Sequence, residues 1–159
     1  MQETIKFVPD TATINKDRSY FIRGDIFVKV DNVIERGRNE AMILSSLDHP
    51  HIQKYIRSYE KDNLHYLETE YFRGPSLENT ILSSEEKRRV QSQLFVVLAF
   101  LTTKNIAHKD INVSNILFNG EHILLIDWET AEYNNPIQDL FGKLEHMGIL
   151  NVLKKISNE

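Results

Sequence analysis

His108-Lys109-Asp110-Ile111-Asn112-Val113-Ser114-Asn115, followed shortly by Ile123-Leu124-Leu125-Ile126-Asp127, decides how this 159-residue chain is read. The first stretch sets an acid and an amide, Asp110 and Asn115, just after a long predicted helix. The second closes an apolar run with a carboxylate. Such a carboxylate at the end of a buried strand is costly unless it is paired, hydrogen-bonded or metal-bound. Asn115 and Asp127 can together offer oxygen ligands to Mg²⁺, a hard cation that also takes phosphate oxygens and waters. Asp110 can orient or deprotonate a nucleophilic hydroxyl. Taken singly, Asp110 also reads as the cap of a turn and Asp127 as the start of one.

Working outward, Ile116 to Phe118 and Ile123 to Ile126 read as short strands around the Asn119-Gly120 turn. Upstream, Ser83 with Glu86 forms a capping box that opens a helix over 84–104. Its middle, Leu94, Val97, Leu98 and Leu101, is apolar enough to be buried. Downstream, Ile137 to Ile156 is mostly helical, with Leu140, Leu144, Met147 and Leu150 approximating a stripe. Gly74-Pro75 is the strongest break in the chain and marks an expected lobe boundary.

The part before that break is strand-rich. Ile5 to Val8 is short and apolar, and a loop is expected from there to Asp17. Ser19 to Arg23 and Ile26 to Val30 flank a Gly24-Asp25 hairpin turn. Helical spacing runs from Glu35 to Leu47 and stops at Asp48-His49-Pro50. Ile52 to Arg57 and Leu64 to Glu70 form a further strand pair around Glu60-Lys61-Asp62-Asn63. Lys29, a cation inside a strand, has Glu40 on the following helix as a candidate partner, although Glu35 and Arg36 are also within reach. Such a Lys–Glu pair can hold an ammonium against phosphate oxygens.

Composition narrows the classes. With 41% hydrophobic and 26% charged residues, the chain is globular and fits one ordinary domain. It has no cysteine, which excludes disulfides and thiolate chemistry. A formal net charge of -4 supplies no global attraction to nucleic acid or to anionic membranes, and no direct nucleic-acid or membrane partner is expected. The polar first residues do not read as a secretory signal, so the cytoplasm is the expected compartment.

The ordered set of these segments resembles the protein kinase-like superfamily. Val28-Lys29-Val30 is similar to the lysine-bearing strand of protein kinases, and Glu40 falls where their first helix supplies its ion-pair glutamate. Leu47 to Tyr55 resembles the helix-to-strand connection, and Glu68 to Leu77 the hinge that receives adenine. His108-Lys109-Asp110 through Asn115-Ile116-Leu117 is similar to the catalytic loop, Ile126-Asp127-Trp128-Glu129 to the metal-binding segment, and Asp139-Leu140-Phe141-Gly142 to the start of the helix below that loop. The resemblance implies an α+β, truncated bilobal protein kinase-like fold in a single domain. Its β-rich N-lobe with one helix would span 1–72, and its shortened helical C-lobe 73–159. It also implies ATP and Mg²⁺. Lys29, held by Glu40, would bind the α/β-phosphates, and the backbone around Glu70, Tyr71 and Phe72 would hold adenine. Asn115 and Asp127 would bind Mg²⁺, Asp110 would be the base or hydroxyl-orienting group, and His108 would be structural.

The sequence leaves the family pattern in four places. No glycine lies between Phe7 and Tyr20, where a Gly-rich phosphate loop would be. Lys29 and Glu40 are only eleven positions apart, as in the small atypical kinases of tRNA-modification complexes. Glu129 replaces a glycine and Asn112 a lysine, and Asp127-Trp128-Glu129 is closer to aminoglycoside and choline kinases. Glu129 can lend a carboxylate near the metal or serve as a solvated turn residue. Only eleven residues separate Asp127 from Asp139, leaving no room for an activation segment. The expectation is a minimal ATP- and Mg²⁺-dependent Ser/Thr-type protein kinase acting on a protein hydroxyl or on itself. The alternatives are a catalytically weak, nucleotide-binding regulatory partner and a small-molecule kinase. Apolar surface left by a short C-lobe makes a protein partner or self-association plausible.

Overall fold

The computed structural model describes residues 6, 7, 17–133 and 156. The expected 137–156 helix lies outside these residues except for Ile156, which is helical and buried. The segment 139–142 and most of the stretch before Asp17 also lie outside them. The chain divides into two compact units, Met1–Asp48 with Gln53–Phe72, and His49–Ile52 with Arg73–Glu159.

The first unit is an antiparallel sheet with one helix. Its strands are β1 (Lys6–Phe7), β2 (Arg18–Arg23), β3 (Ile26–Asp31), β4 (Tyr55–Lys61) and β5 (Leu64–Glu70), in the order β1-β2-β3-β5-β4. Turn chemistry sets the two tight hairpins. Gly24 takes φ 61 at the first turn position between β2 and β3, while Asp62 and Asn63 both take positive φ between β4 and β5. Both are the backbone twists that two-residue hairpins need. β4 begins at Tyr55 rather than at Ile52 and runs on to Lys61. Ile52 instead makes a parallel bridge to Leu125, and the Leu125 amide donates to the His51 carbonyl at 2.8 Å. These bonds account for the four-residue segment His49–Ile52 grouping with the second unit.

Helix α1 (Ile34–Ser45) has no side-chain N-cap of its own. Asp31, at the end of β3, substitutes for one: it accepts from the Val33 amide at 2.9 Å and is gripped by Arg36 through two bonds of 2.7 Å. Glu68 on β5 is fully buried and likewise satisfied, by Arg57, Arg23 and the Tyr59 hydroxyl. Burial pushes both carboxyls up, but the guanidinium partners outweigh it and leave both below the usual range.

Gly37 lets α1 approach β5 closely. A Cβ there would lie 2.4 Å from Cγ of the buried His65. The Gly37→Ala variant gains helix propensity but overpacks this contact. We expect a net loss of about 1–2 kcal/mol, read as a lower urea midpoint at unchanged slope.

The second unit is built on α2 (Ser84–Lys104). Its capping box is present, with the Glu86 amide on Ser83 Oγ at 3.1 Å and the Ser83 amide on Glu86 Oε1 at 3.0 Å. Asn105 closes the helix in the left-handed conformation. Val90, Leu94, Val97 and Leu101 form its buried stripe, and Leu98 is half-buried. Two small sheets follow: β6 (Ile106–Ala107) with β9 (Glu132–Tyr133), and β7 (Ile116–Phe118) with β8 (Ile123–Leu125). Arg89 and Gln93 of α2 bond the 119–123 turn to the helix. No described helix is long and apolar enough to cross a membrane.

Candidate active site

In the first unit, Lys29 on β3 meets Glu40 on α1, with Nζ to Oε1 at 2.8 Å and both side chains at most 5% exposed. The sheet register sets Lys29 opposite Tyr20 and Leu67, and Nζ lies 5.8 Å from the Tyr20 ring centre. Of the glutamates within sequence reach, Glu40 is the one that pairs; Glu35 bonds Arg38 instead. Two of the three amides from Glu70 to Phe72 are committed to backbone partners, Glu70 to the Lys54 carbonyl at 3.0 Å and Tyr71 to the Asp25 carbonyl at 2.8 Å. Among the described residues, the Phe72 amide has no such backbone partner.

In the second unit, Asp110 and Asn115 are joined directly. The Asn115 amide nitrogen donates to the Asp110 carbonyl at 2.9 Å and to Oδ2 at 3.0 Å, which turns its own side-chain oxygen away from the carboxylate. The Ile126 amide donates to the Asn115 carbonyl at 2.9 Å, setting Asp127 one residue beyond that link. Asp127 has φ 68, a left-handed conformation that Asp and Asn tolerate better than most residues. Fully buried Trp128 anchors the next position, its indole nitrogen donating to the Leu125 carbonyl at 2.9 Å. Glu129 is half-buried.

His108 fastens the loop from below. One ring nitrogen bonds the Ile126 carbonyl at 2.9 Å, the other accepts from the Asp110 amide at 3.1 Å, and the ring packs edge-on against Trp128. Accepting from an amide fixes the neutral tautomer with the proton on Nε2. Full burial pushes the imidazole below its usual pKa, partly offset by the Ile126 carbonyl and the carboxylates of Asp127 and Asp110.

The same holds, by burial first, for His51 and His65. All three bind protons more readily unfolded than folded. Their contribution to stability is therefore full above about pH 6.5 and is lost as pH falls from there toward the folded values. Urea unfolding is expected to show stability declining as pH falls through about 6.5 and below. A further loss, from Asp31 and Glu68, is expected below about pH 4.

The donor set suits Mg²⁺. That ion needs only one or two protein oxygens beside phosphate oxygens and water, and the Asn115 oxygen and Asp127 carboxylate are of that kind. Among the described residues no three His, Cys, Asp or Glu side chains cluster as a closed metal cage would require.

The model of the protein kinase domain matches residues 24–148. The chain belongs to the protein kinase domain family. Calcium-dependent protein kinase 5 of Plasmodium berghei (strain Anka) is 35% identical over 109 residues, 63% of this chain and 19% of that protein. Calcium-dependent protein kinase 5 of Plasmodium falciparum (isolate 3D7) is 36% identical over 112 residues, 65% of this chain and 20% of that protein. The chain thus spans about a fifth of the length of these relatives.

In this kinase domain the structure brings Lys29 to Glu40, and Asp110 to Asn115 with Asp127 close in the chain. Sequence reading missed how Asp110 is held. Asn112 donates to Asp110 Oδ1 at 3.1 Å, and Lys109 pairs with Glu132 Oε1 at 2.9 Å. The first had a local signal, an Asn two residues after an Asp in a turn. The second depends on β6 pairing with β9 and had none.

Proposed function

We propose that this kinase domain is an ATP- and Mg²⁺-dependent phosphotransferase whose acceptor is a Ser or Thr hydroxyl of a protein, its own chain included. The observation that carries this reading is the Asp110–Asn115 link. It sets the exposed Asp110 carboxylate beside the buried Asn115 amide, whose nitrogen is committed to Asp110 and whose oxygen is the atom it offers a cation. Within 1–72, Lys29 held by Glu40 binds the α/β-phosphates, and the Phe72 amide is the donor for adenine. Within 73–159, the Asn115 and Asp127 oxygens hold Mg²⁺, which neutralises phosphate charge. Asp110 orients the acceptor hydroxyl and takes its proton as the new O–P bond forms and the bond to ADP breaks. We place the chain in the cytosol, where ATP and Mg²⁺ are supplied.

A protein acceptor is supported over a small molecule by the family match and by relatives that are protein kinases. The glycine-free stretch between Phe7 and Tyr20 favours one other reading, a nucleotide-binding regulator of low turnover. The two separate on incubation with γ-labelled ATP, Mg²⁺ and dephosphorylated casein. Label on Ser or Thr of casein or of the chain supports the phosphotransferase. Nucleotide binding without label overturns it in favour of the regulator.

A further inference from the structure

We infer that Asn112 is a positioning residue that holds the Asp110 carboxylate for the acceptor hydroxyl, an inference that rests on the phosphotransferase reading above. Both carboxylate oxygens of Asp110 accept from a side-chain amide. Oδ2 takes Asn115 Nδ2 at 3.0 Å, and Oδ1 takes Asn112 Nδ2 at 3.1 Å. Asn112 Nδ2 also reaches the Asp110 carbonyl at 3.2 Å. The other end of the same amide is equally engaged. Asn112 Oδ1 caps the short 3-10 turn Val113–Asn115, accepting from the Ser114 amide at 2.9 Å and closely from the Ser114 hydroxyl.

This double engagement is what fixes the geometry. A carboxylate held through one oxygen still rotates about its Cβ–Cγ bond, whereas amides on both oxygens stop that rotation. The plane of the carboxylate, and hence the direction of the lone pair that meets an incoming hydroxyl, is then set before the acceptor arrives. Asp110 is exposed and Asn112 half-buried, so burial does not hold the carboxylate in place of these bonds. Lysine at this position could present a charge, but it has no acceptor with which to cap the turn. Asn112 does both jobs with one planar group.

The two jobs can be separated. A serine at this position retains an oxygen that accepts from the amide two residues on, but it is too short to reach Asp110 Oδ1. Alanine loses both functions. We expect Asn112→Ser and Asn112→Ala to lower kcat alike, by about tenfold, with KM for ATP unchanged. We also expect Asn112→Ser to have no further effect on the residual turnover of Asp110→Asn, because Asn112 acts through Asp110. The assay uses γ-labelled ATP, Mg²⁺ and casein, following label on casein, on the chain and as free phosphate. Wild-type turnover with Asn112→Ser at full kcat overturns the inference and leaves the phosphotransferase reading standing. It is equally overturned if Asn112→Ser costs the Asp110→Asn variant as much as it costs wild type. A wild type that transfers no phosphate overturns the phosphotransferase reading, and the role of Asn112 falls with it.

Discussion

Replacing Asp127 with asparagine is expected to lower phosphate transfer at least about a thousandfold while the protein stays folded. The choice of asparagine follows from the backbone. At φ 68, alanine would add left-handed strain of about 1–2 kcal/mol, so lost activity could be blamed on a disturbed loop. Asparagine tolerates this conformation and keeps the shape of the side chain, removing the negative charge and turning one carboxylate oxygen into an NH2 donor. The neighbouring anchors, Trp128 on the Leu125 carbonyl and the Ile126 amide on the Asn115 carbonyl, are untouched. A bound cation supplies several kcal/mol of transition-state charge stabilisation, and about 4 kcal/mol corresponds to a thousandfold in rate. Transfer from γ-labelled ATP and a thermal melt, measured together, check this. Activity within tenfold of wild type would remove Asp127 from the metal site.

The second large effect separates stability from activity at Lys29 and Glu40. Both groups are buried, and their ion pair at 2.8 Å offsets part of the loss of water around each charge. Lys29→Met takes the lysine away from the buried Glu40 carboxylate and is expected to cost about 3–5 kcal/mol. Adding Glu40→Leu removes that charge as well, so the double variant should recover most of the lost stability. Its activity should not return, because no ammonium remains for the phosphates. Urea unfolding and phosphate transfer on the wild type and three variants give the full cycle. Stability and activity recovering together would mean that the pair serves folding alone.

Much of the local structure was legible from short stretches of sequence. Ser83 and Glu86 announced the start of α2, and the hairpin turns at Gly24 and at Asp62-Asn63 were marked by residues that accept positive φ. Each of these signals is complete within a few consecutive residues. The start of β4 was misplaced because Ile52 and Gln53 are as buried as strand residues, yet Ile52 makes its bridge to Leu125, far away in sequence. The two-residue strands β6 and β9 went unseen for a similar reason. Nothing in Ile106-Ala107 or Glu132-Tyr133 specifies a strand until each finds the other.

The candidate site divides along the same line. Sequence by itself determined which residues are available: a strand lysine, a helix glutamate eleven positions on, and the ordered Asp110, Asn115 and Asp127. Their order along the chain is a property of the chain alone. Tertiary structure decided which of them meet. It chose Glu40 over Glu35 for Lys29, aimed the Asn115 nitrogen at Asp110, and set Asn112 against the other carboxylate oxygen. The physical reason is that a hydrogen bond or ion pair needs its partners within about 3 Å in a definite orientation. Spacing along a chain does not supply that; the packing of α1 on the sheet and the closure of the 108–126 loop by His108 do.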